Sequence, residues 1–239
     1  MIIYPAMDLI GGRVVRLRQG RFDDVTHYSA TPAEALRQFA QAGAEWAHAV
    51  DLDGAGAGRP MQHDLIVDLA ASTPLRLQVA GGFREREQLV RMFDARVARV
   101  VVGSLAVKDP ETVSRWIGEF GPERIVLSLD VRVVDGTPLV ASFGWTEDSG
   151  RSLWEVASLY PEARHFLVTD IGCDGMLQGP NVGLYQEIAR RFPDAAVQAS
   201  GGISSLADLA RLQTAGAIIG RALWEGRMSL EEAVGLARA

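Results

Sequence analysis

The chain predicts an α/β fold, a (β/α)8 barrel of the TIM type with an internal half-barrel duplication. Three observations carry that prediction. The chain has 239 residues, close to the roughly 250 typical of such a barrel. Eight short apolar runs alternate with segments of helical period, and that alternation implies parallel pairing through right-handed crossovers. The two halves also echo one another. The segment Ile2-Ile3-Tyr4-Pro5-Ala6-Met7-Asp8 has a counterpart in Ile125-Val126-Leu127-Ser128-Leu129-Asp130. Gln78-Val79-Ala80-Gly81-Gly82 is matched by Gln198-Ala199-Ser200-Gly201-Gly202, and Val102-Gly103-Ser104 by Ile219-Gly220-Arg221. One domain over 1–239 is expected, with half-barrels at about 1–122 and 123–239.

The elements follow in order. Strands are expected at 2–7, 46–52, 75–79, 100–102, 125–129, 165–169, 196–199 and 217–219. Helical period is seen in Leu36, Phe39 and Ala40, and again in Val113, Trp116, Ile117 and Phe120 at i, i+3, i+4, i+7. Thr31-Pro32-Ala33-Glu34 combines an N-cap, a proline at the first helical position and a capping-box glutamate. Asp109-Pro110 repeats the cap and proline, and Ser229 with Glu232 is a second capping box. No composition shift or low-complexity linker divides the chain. From Gly82 to Gly103 is 21 positions, but from Gly202 to Gly220 only 18. A truncated turn is expected before the eighth strand.

Composition narrows the function classes. Apolar residues make up 48% of the chain and the formal net charge is −6, which argues against general nucleic-acid binding. Cys173 is the only cysteine, so no internal disulfide can form and a reducing compartment is implied. The N-terminus lacks a basic n-region, and no apolar run approaches the roughly 20 residues of a membrane span. A cytoplasmic monomer that binds neither membrane nor nucleic acid is expected. The four histidines are scattered, so no metal site is expected.

Candidate chemistry gathers at strand ends, because a barrel of this kind works at the C-terminal face of its strands. Asp8, Asp51, Asp130 and Asp170 all lie at such ends. Asp8 and Asp130 are 122 positions apart, which places them on opposed strands one and five. Two carboxylates facing across a mouth can divide general-acid and general-base work if their surroundings differ. Alternatively each caps a loop or pairs with an arginine such as Arg16 or Arg132. Gly81-Gly82 and Gly201-Gly202, followed by Gly103-Ser104 and Gly220-Arg221, form two glycine clusters whose N–H groups can cradle anions, helped by helix N-termini. A duplicated site of this kind suits a small substrate with a phosphate at each end.

Other residues leave alternatives open. Thr169 either bonds a substrate oxygen, orients Asp130 or closes a turn with the neighbouring Asp170. The loop that follows is glycine-rich and contains Gly175. Trp145, in a loop after strand five, stacks on a flat heterocycle or packs in the core. Arg16 and Arg84 pair with phosphate, with a carboxamide-bearing ring or with solvated acids. The polar stretch from Gly20 to Tyr28 is either a lid or a surface loop. His48, within strand two, reads as a satisfied core histidine.

Taken together, Pro5-Ala6-Met7-Asp8-Leu9, Val15-Arg16-Leu17-Arg18-Gln19-Gly20, Val50-Asp51-Leu52-Asp53-Gly54-Ala55, Leu129-Asp130-Val131-Arg132 and Gly144-Trp145 resemble one family over nearly the whole chain. So do Asp174-Gly175-Met176-Leu177-Gln178-Gly179-Pro180-Asn181, Ser200-Gly201-Gly202 and Ile219-Gly220-Arg221-Ala222-Leu223. That family is the phosphoribosylformimino-aminoimidazole-carboxamide ribotide (ProFAR) isomerases of histidine biosynthesis. The resemblance implies a cofactor-free Amadori rearrangement of an aminoaldose to an aminoketose. It implies Asp8 as general base and Asp130 as general acid, with phosphates at the two glycine clusters. The chain departs from the family at Ala80, where a third glycine is usual, and at Cys173, where a basic residue is expected. A dual-substrate isomerase that also takes phosphoribosylanthranilate, the related cyclase with its glutaminase partner, and a non-catalytic barrel that senses a phosphorylated metabolite are the rival readings.

Overall fold

The computed structural model describes residues 1–18, 21–142 and 147–238. Eight parallel strands form a closed barrel: β1 (Ile2–Ile10), β2 (Trp46–Asp51), β3 (Arg76–Ala80), β4 (Arg99–Val102), β5 (Ile125–Val134), β6 (His165–Asp170), β7 (Ala196–Ser200) and β8 (Gly216–Ile219). Each pairs with the next, and β8 returns to β1 with Ile3 opposite Ala217. Closure leaves the eight-stranded core no open edge. All eight expected strands are present.

Period-2 alternation sorts the side chains. Tyr4, Ala6, Trp46, Val101, Val126, Leu167 and Ile218 form the cluster inside the barrel. Residues of opposite parity, among them Met7, Leu9, Leu77, Val100, Leu127 and Ala199, join the larger core between strands and helices. Helices reach that core with one apolar stripe. Leu36 and Phe39 do so in the helix Pro32–Gln41, and Val113, Trp116 and Ile117 in Pro110–Phe120. Fully burying one such side chain contributes about 1.5–3 kcal/mol. The caps form as expected at Thr31–Glu34 and Asp109. At Ser229 the hydroxyl accepts from Glu232 N at 3.3 Å, but its proton goes to Glu231 rather than Glu232.

Two segments expected to be irregular are strands. β1 turns at Gly11-Gly12, both at positive φ, into Arg13–Arg18, which pairs with Arg21–His27. The segment 21–27 is therefore a hairpin arm; Gly20 lies outside the described residues. β5 turns at Asp135-Gly136, φ 48° and 77°, into Thr137–Ser142, which pairs with Glu147–Ser152. The stretch expected to be a loop around Trp145 thus ends in a strand, and Trp145 lies outside the described residues. In each case two consecutive left-handed residues make the tight turn whose twist matches the flanking strands.

The length deficit before β8 also falls elsewhere than expected. Four residues separate helix from strand in both halves, 95–98 and 212–215. The helix Leu206–Arg211 has six residues where Arg86–Asp94 has nine. The helix is shortened, not the turn.

Candidate active site

A cavity of about 1080 Å³ opens at the C-terminal ends of the strands. Strand parity decides which aspartates reach it. Asp8 shares the inward face of β1 with Tyr4 and Ala6, and Asp130 shares that of β5 with Val126 and Ser128; both line the cavity. Asp51 and Asp170 have the opposite parity and organise the loops behind it. Asp51 accepts from Gly54 N, Met61 N and Gln62 N at 2.7–2.9 Å. Asp170 accepts from Gly172 N at 2.9 Å and Asn181 Nδ2 at 2.7 Å. Among residues expected to touch substrate, Asp170 is thus set back from the cavity, with 5% of its surface exposed.

Asp8 is tied into a buried ion triad. Arg16 Nη1 donates to Asp8 Oδ2 at 3.1 Å, while Nη2 donates to both oxygens of Asp174 at 2.9 and 2.8 Å. The pairing with Arg16 foreseen as an alternative to catalysis is therefore present, and the same carboxylate still faces the cavity. Burial raises the Asp8 pKa above the ordinary aspartate value; Arg16 pulls it down and Asp174 pushes it up. Burial opposes the charge on Arg16, but the two carboxylates outweigh it and hold the guanidinium protonated. Asp174 was not among the residues singled out as site candidates. Its partner lies 158 positions away, and the only local signal is an acidic residue in a glycine-rich loop beside the cavity.

On the other side, Ser128 Oγ lies 3.4 Å from Asp130 Oδ1. Thr169 sits opposite Asp130 in the β5–β6 register, is 5% exposed and lines the cavity. Arg84 also lines it; burial lowers its pKa, and its Nη1 donates to the Phe83 carbonyl at 3.4 Å.

The two glycine clusters occupy opposite rims. Gly81, Gly82, Gly103 and Ser104 lie on one side, Gly201, Gly202, Gly220 and Arg221 on the other. Their backbones match: Gly103 has φ −98° and ψ −102°, Gly220 φ −106° and ψ −95°. The paired glycines are required by their neighbours. A Cβ at Gly82 would lie 2.3 Å from Gly54 O, and one at Gly202 2.3 Å from Gly179 O. Each pair therefore packs against the loop leaving the preceding strand, which holds the rim in shape. Gly103 and Gly220 cap helices of only five and four residues, whose first N–H groups have no intrahelical acceptor. Arg221 is not a bare charge, since it pairs with Glu225 and donates to Gly175 O.

Cys173 is partly buried, and burial together with Asp170 raises its thiol pKa to about 11. It is a thiol at neutral pH.

Residues 2–229 match the model of a family described as histidine biosynthesis protein. Among similar proteins, those of Vibrio campbellii (47% identical, 97% of both chains), Stenotrophomonas maltophilia (47%, 98% of both) and Maricaulis maris (47%, 100% of this chain and 99% of the other) carry one name. Each is a 1-(5-phosphoribosyl)-5-((5-phosphoribosylamino)methylideneamino) imidazole-4-carboxamide isomerase.

Proposed function

The chain belongs to the histidine biosynthesis protein family, and from that premise we propose that the cavity at its barrel mouth isomerises a substrate carrying two phosphoribosyl groups. The protein is an aldose–ketose isomerase that converts the ProFAR aminoaldose to its aminoketose. The observation that carries the assignment to this cavity is the pairing of two inward carboxylates, Asp8 and Asp130, with two matched glycine rims around one opening.

The rims, one at Gly81, Gly82, Gly103 and Ser104 and one at Gly201, Gly202, Gly220 and Arg221, each take a phosphate. This fixes the reacting ribose between the aspartates and supplies orientation. Asp130 gives a proton to the ring oxygen as the C1′–O bond breaks, leaving an open-chain Schiff base. Asp8 takes the proton from C2′, and the electrons move to form an enolamine. Return of a proton to C1′ and loss of the hydroxyl proton at C2′ yield the ketone. A raised pKa makes Asp8 a stronger base once ionised, and Arg16 favours the ionised form. Thr169 steadies Asp130 or a substrate oxygen, Arg84 meets the anionic or carboxamide-bearing end, and Gly175 shapes the loop that Arg221 grips. Gly20 and Trp145, which lie outside the described residues, complete the set of substrate-binding residues. Asp170 acts through its loop. No cofactor takes part. The protein works as a cytoplasmic monomer made of two half-barrels.

Asp8→Asn and Asp130→Asn should each lower turnover by about 10²–10⁴, the usual worth of one positioned proton transfer, and leave product binding intact. Near-normal turnover in either variant rejects the assignment. Rescue of a histidine auxotroph, with a tryptophan auxotroph in parallel, measures substrate breadth.

A further inference from the structure

Below the two carboxylates the cavity floor is polar, and the acid–base scheme leaves it unused. His48 on β2 points inward, is 6% exposed and lines the cavity. It lies level with Ala6 of β1, two residues below Asp8, or about 6.6 Å along the strand. Gln78 and Gln198, at matching places on β3 and β7, join amide to amide beside it. Gln78 Nε2 donates to Gln198 Oε1 at 2.7 Å, and Gln198 Nε2 donates to Gln78 Oε1 at 2.9 Å. The second proton on Gln78 Nε2 meets His48 Nδ1 at 3.2 Å. An amide nitrogen donates and does not accept, so Nδ1 is the acceptor and Nε2 carries the ring proton.

That Nε2–H has no acceptor among the described residues, while the ring lines the cavity. The nitrogen opens onto the cavity and is not sealed in the core, so its hydrogen-bond partner is whatever fills that space. Burial keeps the ring neutral, with a pKa lowered to about 4. A neutral N–H binds an oxygen without offering a proton that would compete with an acid at the mouth.

We propose that His48 contacts the substrate, its Nε2–H donating to a hydroxyl oxygen of the opened sugar from the cavity floor. This rests on the isomerase reading, which puts a polyhydroxylated chain between Asp8 and Asp130. The glutamine pair is the device that sets the tautomer.

The test compares wild type, His48→Gln and His48→Leu. Glutamine retains an acceptor for Gln78 and a donor for the cavity; leucine retains only bulk. We expect kcat/KM to fall about 10–100-fold in the leucine variant, the worth of a lost hydrogen bond plus a stranded oxygen, and to stay within about fivefold of wild type in the glutamine variant. A leucine variant within twofold of wild type, or a glutamine variant as poor as leucine, overturns the proposal. The ¹⁵N spectrum of the wild-type ring gives a readout independent of folding. Nδ1 should be unprotonated, and Nε2–H should shift when the bisphosphate product binds; an unmoved Nε2–H overturns the contact. Failure of the wild type itself to convert the aminoaldose would instead sink the isomerase reading.

Discussion

The carboxylate of Asp8 answers to three neighbours at once: a low-dielectric pocket, the Arg16 cation and the Asp174 anion. Asp174 raises the Asp8 pKa, so its removal must lower it. Asp174→Asn should therefore move the acidic limb of the kcat/KM–pH profile to lower pH, and a weaker base should also lower the plateau. A limb that stays put would show that Asp174 does not set the basicity of Asp8. His48 makes a stability prediction. In the unfolded chain it protonates near pH 6.5, but in the fold only near pH 4. Between those values the unfolded state binds the extra proton, so stability is lost as pH falls. The loss reaches roughly 3 kcal/mol by pH 4. His48→Gln removes this part of the acid lability, and urea unfolding across pH 4–7 should show a flatter dependence. At this scale much of the site was legible. Parity alone separates Asp8 and Asp130 from Asp51 and Asp170, since each of the latter pair follows an outward-facing position by two. The Arg16–Asp174 bond was not legible, because loop-to-strand contacts across 158 positions leave no periodic trace.

Among the elements, the rims are the most demanding. Gly82 sits at φ +74° with the Gly54 carbonyl where a Cβ would go, whereas Gly58, at φ +65°, has nothing within 4 Å. Gly58→Ala should cost about 1 kcal/mol from the left-handed backbone alone. Gly82→Ala should cost at least about 2 kcal/mol, because the strand-two loop must also move. Chemical denaturation midpoints measure the difference, and equal losses would mean that the close approach is not rigid. Strand and helix order followed from the alternation of apolar runs, and the helix starts from their caps. The two hairpin arms were missed although Gly11-Gly12 and Asp135-Gly136 are strong turn signals. The outer arm Arg21–His27 is too polar to register as a strand by hydrophobic period.

For the whole molecule, the amide pair Gln78–Gln198 links strands three and seven through the barrel interior, with 0% and 1% exposure. Replacing one glutamine by leucine strands the other's donor and acceptor, at a cost of about 1–3 kcal/mol. Replacing both removes the stranded amide and leaves only His48 Nδ1 without its donor. The double variant should therefore lose less stability than the sum of the singles, and strict additivity would show that the amides act independently. Closure of the barrel was legible from the count of eight strands and the echo between halves. The buried amide pair was present in both quoted motifs, but its meaning depends on the two residues facing one another, which only the closed geometry reveals.

The outer ring of helices tolerates a deletion that the mouth does not register. Nearly one turn is missing ahead of Gly220, yet its torsions lie within ten degrees of those at Gly103. Circumference and rim thus vary separately: the glycine at the rim keeps its torsions although the helix outside it is shorter. Grafts, trims or tethers for immobilisation belong on that outer layer, where the chain itself has already run the experiment.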